Sequence, residues 1–163
     1  MKKGNIQIGE ISMESLQMFA YSRTSVLIAL QNINESKWDN QPSSFPNTIR
    51  WNAGHMYITA EVFLNKADPN YTVMHPEWEK LFIDGTSHLK WLEEPPTKEE
   101  IIHALEKQKE RILTYSSADL NKDASETQVF HALSLHTVEA ALQFVTWHDG
   151  LHLGILKSME KTC

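Results

Sequence analysis

The sequence predicts an all-α protein, an antiparallel four-helix bundle with one long connection between the second and third helices. Three observations carry this. Apolar residues recur at steps of three and four over four long segments. The prolines, at 42, 46, 69, 76, 95 and 96, all fall between those segments. Strand-like alternation is nearly absent, and no internal repeat or low-complexity tract is present. At 163 residues, 41% of them hydrophobic, the chain is read as a single domain, 1–163, long enough for a core.

The first helix is expected from Ser12 to Asn34, on the stripe Leu16, Phe19, Ala20, Val26, Leu27, Leu30 and Ile33. The turn Pro42–Asn47 then leads into a second helix carrying Ile49, Ala53, Met56, Ala60, Phe63 and Leu64, ending near Ala67. Pro95 and Pro96 block any helix upstream of the third, and Thr97 with Glu100 forms a capping box. Ile101, Leu105, Gln108, Ile112 and Tyr115 follow. The fourth helix runs from about Thr137 to Lys161. About 30 residues, Asp68 to Pro96, join the second and third helices, a length typical of lids and binding elements. Tyr71, Trp78, Phe82 and Trp91 should pack this segment onto the helices, with a short helix near Glu77 to Ile83.

Bulk charge narrows the function. Twenty-one acidic residues against 15 basic ones give −6, and Arg23, Arg50 and Arg111 do not cluster. Nucleic acid is not an expected partner, because phosphate neutralisation supplies most of that affinity. No apolar run approaches the ~20 residues of a membrane span, and Met1-Lys2-Lys3 lacks the apolar run of a signal peptide behind it. The one cysteine, Cys163, permits no internal disulfide and is a poor candidate nucleophile at the chain end. A cytoplasmic location is expected.

Chemistry concentrates in His148-Asp149-Gly150-Leu151-His152. Two histidines four apart share one helix face. They sit in the seam Val138, Ala141, Val145, His148, His152, Ile155, Met159, where a bundle helix carries apolar residues. Burying two unpaired imidazoles costs free energy, and a shared metal ion would offset it. A third ligand is required. His75 and His88 lie in the connection, His103 is off its helix stripe, and His131 and His136 precede the fourth helix; His55, inside the second helix, is the best placed. Gly54, Gly150 and Gly154 each lie within two residues of one of these histidines, where they allow close helix approach or leave space at a metal. Glu61 and Glu139 are candidates to orient the imidazoles, although an exposed helix face explains them as well.

Rival metal readings fail on the sequence. His-Asp-x-x-His resembles the zincin motif with a shortened acid, but only 11 residues follow His152, too few for a downstream ligand. A ferritin-like di-iron site needs two Glu-x-x-His pairs, and Glu100–His103 is the only one. No phosphate loop, dinucleotide fingerprint or Gly-x-Ser-x-Gly elbow occurs.

Three stretches resemble the DinB-like superfamily of bacterial four-helix metalloproteins, which includes bacillithiol and mycothiol S-transferases. They are Trp51-Asn52-Ala53-Gly54-His55, His75 through Thr86, and Thr137-Val138-Glu139-Ala140 running into His148 through Gly154. The resemblance implies a divalent metal (Zn, Ni, Fe, Cu or Mn) held by His55, His148 and His152, commonly in a homodimer. It also implies a low-molecular-weight thiol such as bacillithiol as co-substrate, transferred to a small electrophile. Arg50, one turn before the ligand region of the second helix, is the candidate cation for a carboxylate of that thiol, although a solvated residue at a helix start explains it as well. The alternatives are a metal- or ligand-binding helical protein without turnover, and a structural helical dimer whose histidines hydrogen-bond in the core. No catalytic side chain beyond the ligands is assigned.

Overall fold

The structure is a computed structural model that describes residues 13–162; Cys163 and the expected helix start at Ser12 lie outside the described residues. The chain is mostly helical, with one small two-stranded sheet. Four long helices, α1 (Glu14–Asn32), α2 (Ile49–Ala67), α4 (Lys98–Ile112) and α6 (Val138–Thr162), carry the packing. Each ends within a few residues of its expected bounds, for local reasons. The Thr48 hydroxyl accepts from the Trp51 N–H at the start of α2. Thr97 and Glu100 form both halves of the capping box on α4. The Thr137 hydroxyl accepts the Ala140 N–H at 3.1 Å to open α6. Helix α4 stops at Ile112, three residues before Tyr115, whose hydroxyl instead reaches Asp68 at 3.1 Å.

Helix direction departs from a simple antiparallel array. Ser22, Arg23 and Lys37 bond to residues 146, 149 and 160 in that order, so α1 and α6 run parallel. Arg50, Tyr57 and Glu61 meet residues 96, 108 and 111, so α2 also runs parallel to α4. A chain leaving the far end of α2 must therefore return along its whole length before α4 can begin, and this is why the connection is long. It descends in register beside α2: Tyr71 on Glu61, Met74 on Glu61 and Tyr57, Phe82 on His55, Thr86 on Trp51, Pro96 on Arg50. Its short helical piece is a 3₁₀ turn at Pro76–Trp78 running into α3 (Glu79–Phe82), close to the expected 77–83.

Between α4 and α6, after the short α5 (Ser117–Leu120), lies a hairpin that the sequence reading lacks: β1 (Asp123–Phe130) paired antiparallel with β2 (Leu133–Thr137). Only Leu135 in it is buried, so neither strand has the inside–outside alternation that reveals strands in a sequence. No helix among the described residues is long and apolar enough to cross a membrane.

The core divides into two clusters. One gathers Leu30, Trp38, Ile49, Phe82, Leu105 and Leu156; the other gathers Phe19, Leu64, Ile112, Leu142 and Val145. Between them every long helix contributes buried polar groups: Arg23, Glu61, Gln108, Asp149 and the histidines.

Candidate metal centre

His55, His148 and His152 come together, each 6–7% exposed. The His148 Nε2 lies 3.2 Å from the His55 Nε2 and 3.1 Å from the His152 Nε2. All three ligand atoms fall within 4.8 Å of one another.

The outer nitrogens set the tautomers of two rings. His55 Nδ1 is 2.7 Å from the Phe82 carbonyl oxygen, which can only accept. His152 Nδ1 is 2.9 Å from the Asn52 Oδ1; the Asn52 Nδ2 donates to the Thr48 carbonyl at 2.8 Å, which holds the amide oxygen toward the imidazole. Both rings therefore carry their proton on Nδ1 and aim an Nε2 lone pair inward. A proton on His148 Nε2 can serve one of those lone pairs, not both. Core hydrogen bonding alone thus leaves the cluster short of donors, whereas one cation satisfies three lone pairs together. Two nitrogens about 2.1 Å from one ion stand about 3.0 Å apart at a right angle and about 3.4 Å apart at the tetrahedral angle, and the two separations from His148 lie between. The residues present fit a divalent transition metal.

Electrostatics favour the ligand state. Burial lowers the pKa of His55, and takes that of His152 down to about 4. His148 is pushed furthest, by burial first and then by its two histidine neighbours and Arg23. The rings are neutral at neutral pH and need not release a proton to bind.

Packing holds them in place. Trp51 stacks on His55 at 4.6 Å and 12°, and its indole N–H donates to Thr86 at 3.0 Å. Gly54 admits the Phe82 ring: a Cβ there would stand 2.5 Å from it. Gly150 and Gly154 differ, since a Cβ at either meets nothing within 4 Å. Two residues from a histidine is more than half a turn around the helix, so both exposed glycines point away from the triad and supply neither the close contact nor the space expected of all three.

Asp149 is fully buried, its carboxylate held by the Arg23 Nε at 2.7 Å and Nη2 at 3.2 Å. Arg23 continues to Gln108, which donates to Glu61 at 2.7 Å; Glu61 also accepts from Tyr71, the Met74 N–H and Arg111. Arg23 and Arg111, unclustered in sequence, thus enter one buried network. Glu61 orients the connection rather than an imidazole, and Glu139 lies on α6 near Glu14 and Met18, away from the triad. Ile155 is only partly buried, and Leu156 takes the core position expected of it.

Arg50 faces Asp39 through Nε at 2.6 Å and Nη2 at 2.7 Å, and donates from Nη1 to the Pro96 carbonyl at 2.8 Å. His75 stacks on Trp78 at 4.5 Å, and His131 sits at the hairpin tip with φ 50°. A concavity of about 610 Å³ between the 76–82 segment and α4 includes His75 and His103. Among the described residues only His55, His148 and His152 form a group able to hold a metal.

Sequence reasoning missed Asn52, the Phe82 carbonyl and the Arg23–Asp149 pair. An Asn inside an apolar helix was a readable signal, because mid-helix Asn is unfavourable without a partner. A backbone carbonyl leaves no trace in a sequence.

No curated protein matches the chain. A family model described as the DinB superfamily matches residues 18–156, a span holding all three histidines, Asn52 and Phe82. The chain belongs to the DinB superfamily.

Proposed function

We propose that the protein is a metal-dependent thiol S-transferase built on a four-helix bundle, with His55, His148 and His152 as the ligands. The observation that carries the metal part is the convergence of three Nε2 atoms, two with their tautomer set from behind. Three protein ligands leave coordination positions open. A divalent ion there would supply Lewis acidity and hold a thiol as its thiolate.

In the reaction the thiol proton passes to solvent and sulfur bonds to an electrophilic carbon. Either a carbon–halogen bond breaks, the halide leaving with the electron pair, or an epoxide C–O bond breaks and its oxygen takes a proton. The chain holds the ligands neutral and oriented. Arg50 enters the reading as partner for a carboxylate of the thiol, exchanging Asp39 for it. Met18, Tyr21 and Ile28, exposed along α1, form the face proposed for a second copy in a cytoplasmic homodimer.

Elemental analysis of tag-free protein tests the metal: about one divalent ion per chain is expected, lost in His148→Ala and His152→Ala. Metal content near zero and unchanged by both substitutions sinks the reading. Metal-loaded protein incubated with bacillithiol and an epoxide or chloro-aromatic should form the conjugate. Full metal occupancy with no conjugate across a panel of thiols leaves a binding protein in its place.

A further inference from the structure

Beside the triad, aromatic rings continue outward from His148. Phe144, one turn earlier on α6, has its ring 6.2 Å from the His148 imidazole at 18°. Phe63 of α2 stacks on Phe144 at 4.7 Å and 12°, and Phe130 of the hairpin at 5.0 Å and 4°. Trp147 lies 5.5 Å from Phe144, tilted by 43°. The planes of Phe63, Phe130 and Phe144 are therefore nearly parallel to one another and to the imidazole.

Seating the hairpin explains Phe130 and the two rings that receive it, Phe63 and Phe144. It does not explain Trp147, which is 59% exposed next in sequence to a metal ligand. Phe130 itself remains 38% exposed, and Val129 and Leu133 beside it are more open still. From Ala140 to Leu156 the one acidic or basic side chain of α6 besides His148 and His152 is Asp149, buried on Arg23. The α6 side of this flank is thus apolar and aromatic, and the charges that the neighbouring elements bring, Lys66 of α2 and Glu126 of β1, are paired with each other at 3.3 Å. A charged acceptor would have to break that ion pair to gain a counter-ion, whereas a flat apolar one would find aromatic side chains beside a ligand ring.

We propose that Phe63, Phe130, Phe144 and Trp147 form a subsite that takes the aromatic portion of the co-substrate beside the metal. The assignment deepens the transferase reading and rests on it for the word co-substrate; the binding it describes requires neither thiol nor turnover.

The test compares 2-naphthalenemethanol with its saturated decahydro counterpart, both unreactive, by ligand-observed NMR titration of zinc-loaded and metal-free protein. Wild type is set against Phe130→Ser/Trp147→Ser, two exposed positions whose replacement leaves the core intact, as circular dichroism would verify. The aromatic alcohol should bind about five-fold or more tightly than the saturated one, and the double variant should lose that preference. Equal binding of the two alcohols, including none by either, overturns the proposal, as does a preference that survives the double substitution. A fall in solution mass on substitution, with no change in the preference, assigns the patch to a protein interface instead. Failure of the thiol-transfer assay with the preference intact would remove the reaction and leave the subsite.

Discussion

At the scale of single residues, the candidate metal centre depends on atoms outside the three imidazoles. Asn52 holds the His152 tautomer while its own amide is held by the Thr48 carbonyl. Asn52→Leu should therefore weaken zinc binding about 10–100-fold, measured by competition with a chromophoric chelator; an unchanged affinity would remove Asn52 from the site. The glycines divide in the same way. Gly54→Ala drives a Cβ into the Phe82 ring and shifts the carbonyl that His55 uses. It should cost about 1–3 kcal/mol by denaturant unfolding and lower zinc affinity as well. Gly150→Ala and Gly154→Ala enter open space on a helix and should each stabilise by about 0.5–1 kcal/mol without altering metal content. Proximity to a histidine in sequence made the three look alike; what surrounds each Cβ position separates them.

At the scale of elements, the Arg23–Asp149 pair joins α1 to the turn of α6 that lies between the two histidine ligands. It sits where the two hydrophobic clusters meet, and it fixes how α6 slides and rotates against α1. Removing one member leaves the other charged and buried. Arg23→Met should destabilise by about 3–5 kcal/mol, while Arg23→Met combined with Asp149→Leu should recover much of that loss. If the double variant is as unstable as the single one, the pair is not the reason for the cost. The connection acts in a similar way through its backbone: Glu61 grips Tyr71 and the Met74 N–H, and further along the same segment Phe82 presents its carbonyl to His55. A segment whose length is typical of lids and binding elements packs on α2 over residues 71–86, as its aromatic residues led one to expect, and backs the histidine triad.

At the scale of the whole molecule, the buried imidazoles make stability depend on pH. Their folded pKa values lie below the ordinary 6.5, so the unfolded chain takes up protons first as pH falls. The stabilisation is complete above about pH 6.5 and is lost below it, toward about pH 4 for His152. Each fully shifted histidine contributes a slope of up to about 1.4 kcal/mol per pH unit. Chemical unfolding of metal-free protein at pH 7, 6 and 5 should show a steep fall that His148→Ala makes shallower; parallel curves would contradict neutral burial. Saturating zinc at about 100 times its Kd should add about 2.7 kcal/mol at neutral pH, reversed by chelator and absent in His152→Ala.

The four helices, the capping box on α4 and the three histidines that converge, His55, His148 and His152, were legible in the sequence, because periodicity and helix-face spacing are local properties of a chain. The hairpin was not, since strands with a single buried position carry no inside–outside alternation to read. Helix direction was not legible either: a 30-residue connection is compatible with a lid on antiparallel helices or a return path between parallel ones, and only side-chain pairings across the core decide. Titratable residues at core positions of α6 announced a site. What the tertiary structure alone decided was the company those residues keep: a carbonyl 27 positions from His55, an amide 100 positions from His152, an arginine 126 positions from Asp149. Tautomer, burial and charge pairing arise from contacts between distant segments, and no spacing along the chain encodes them.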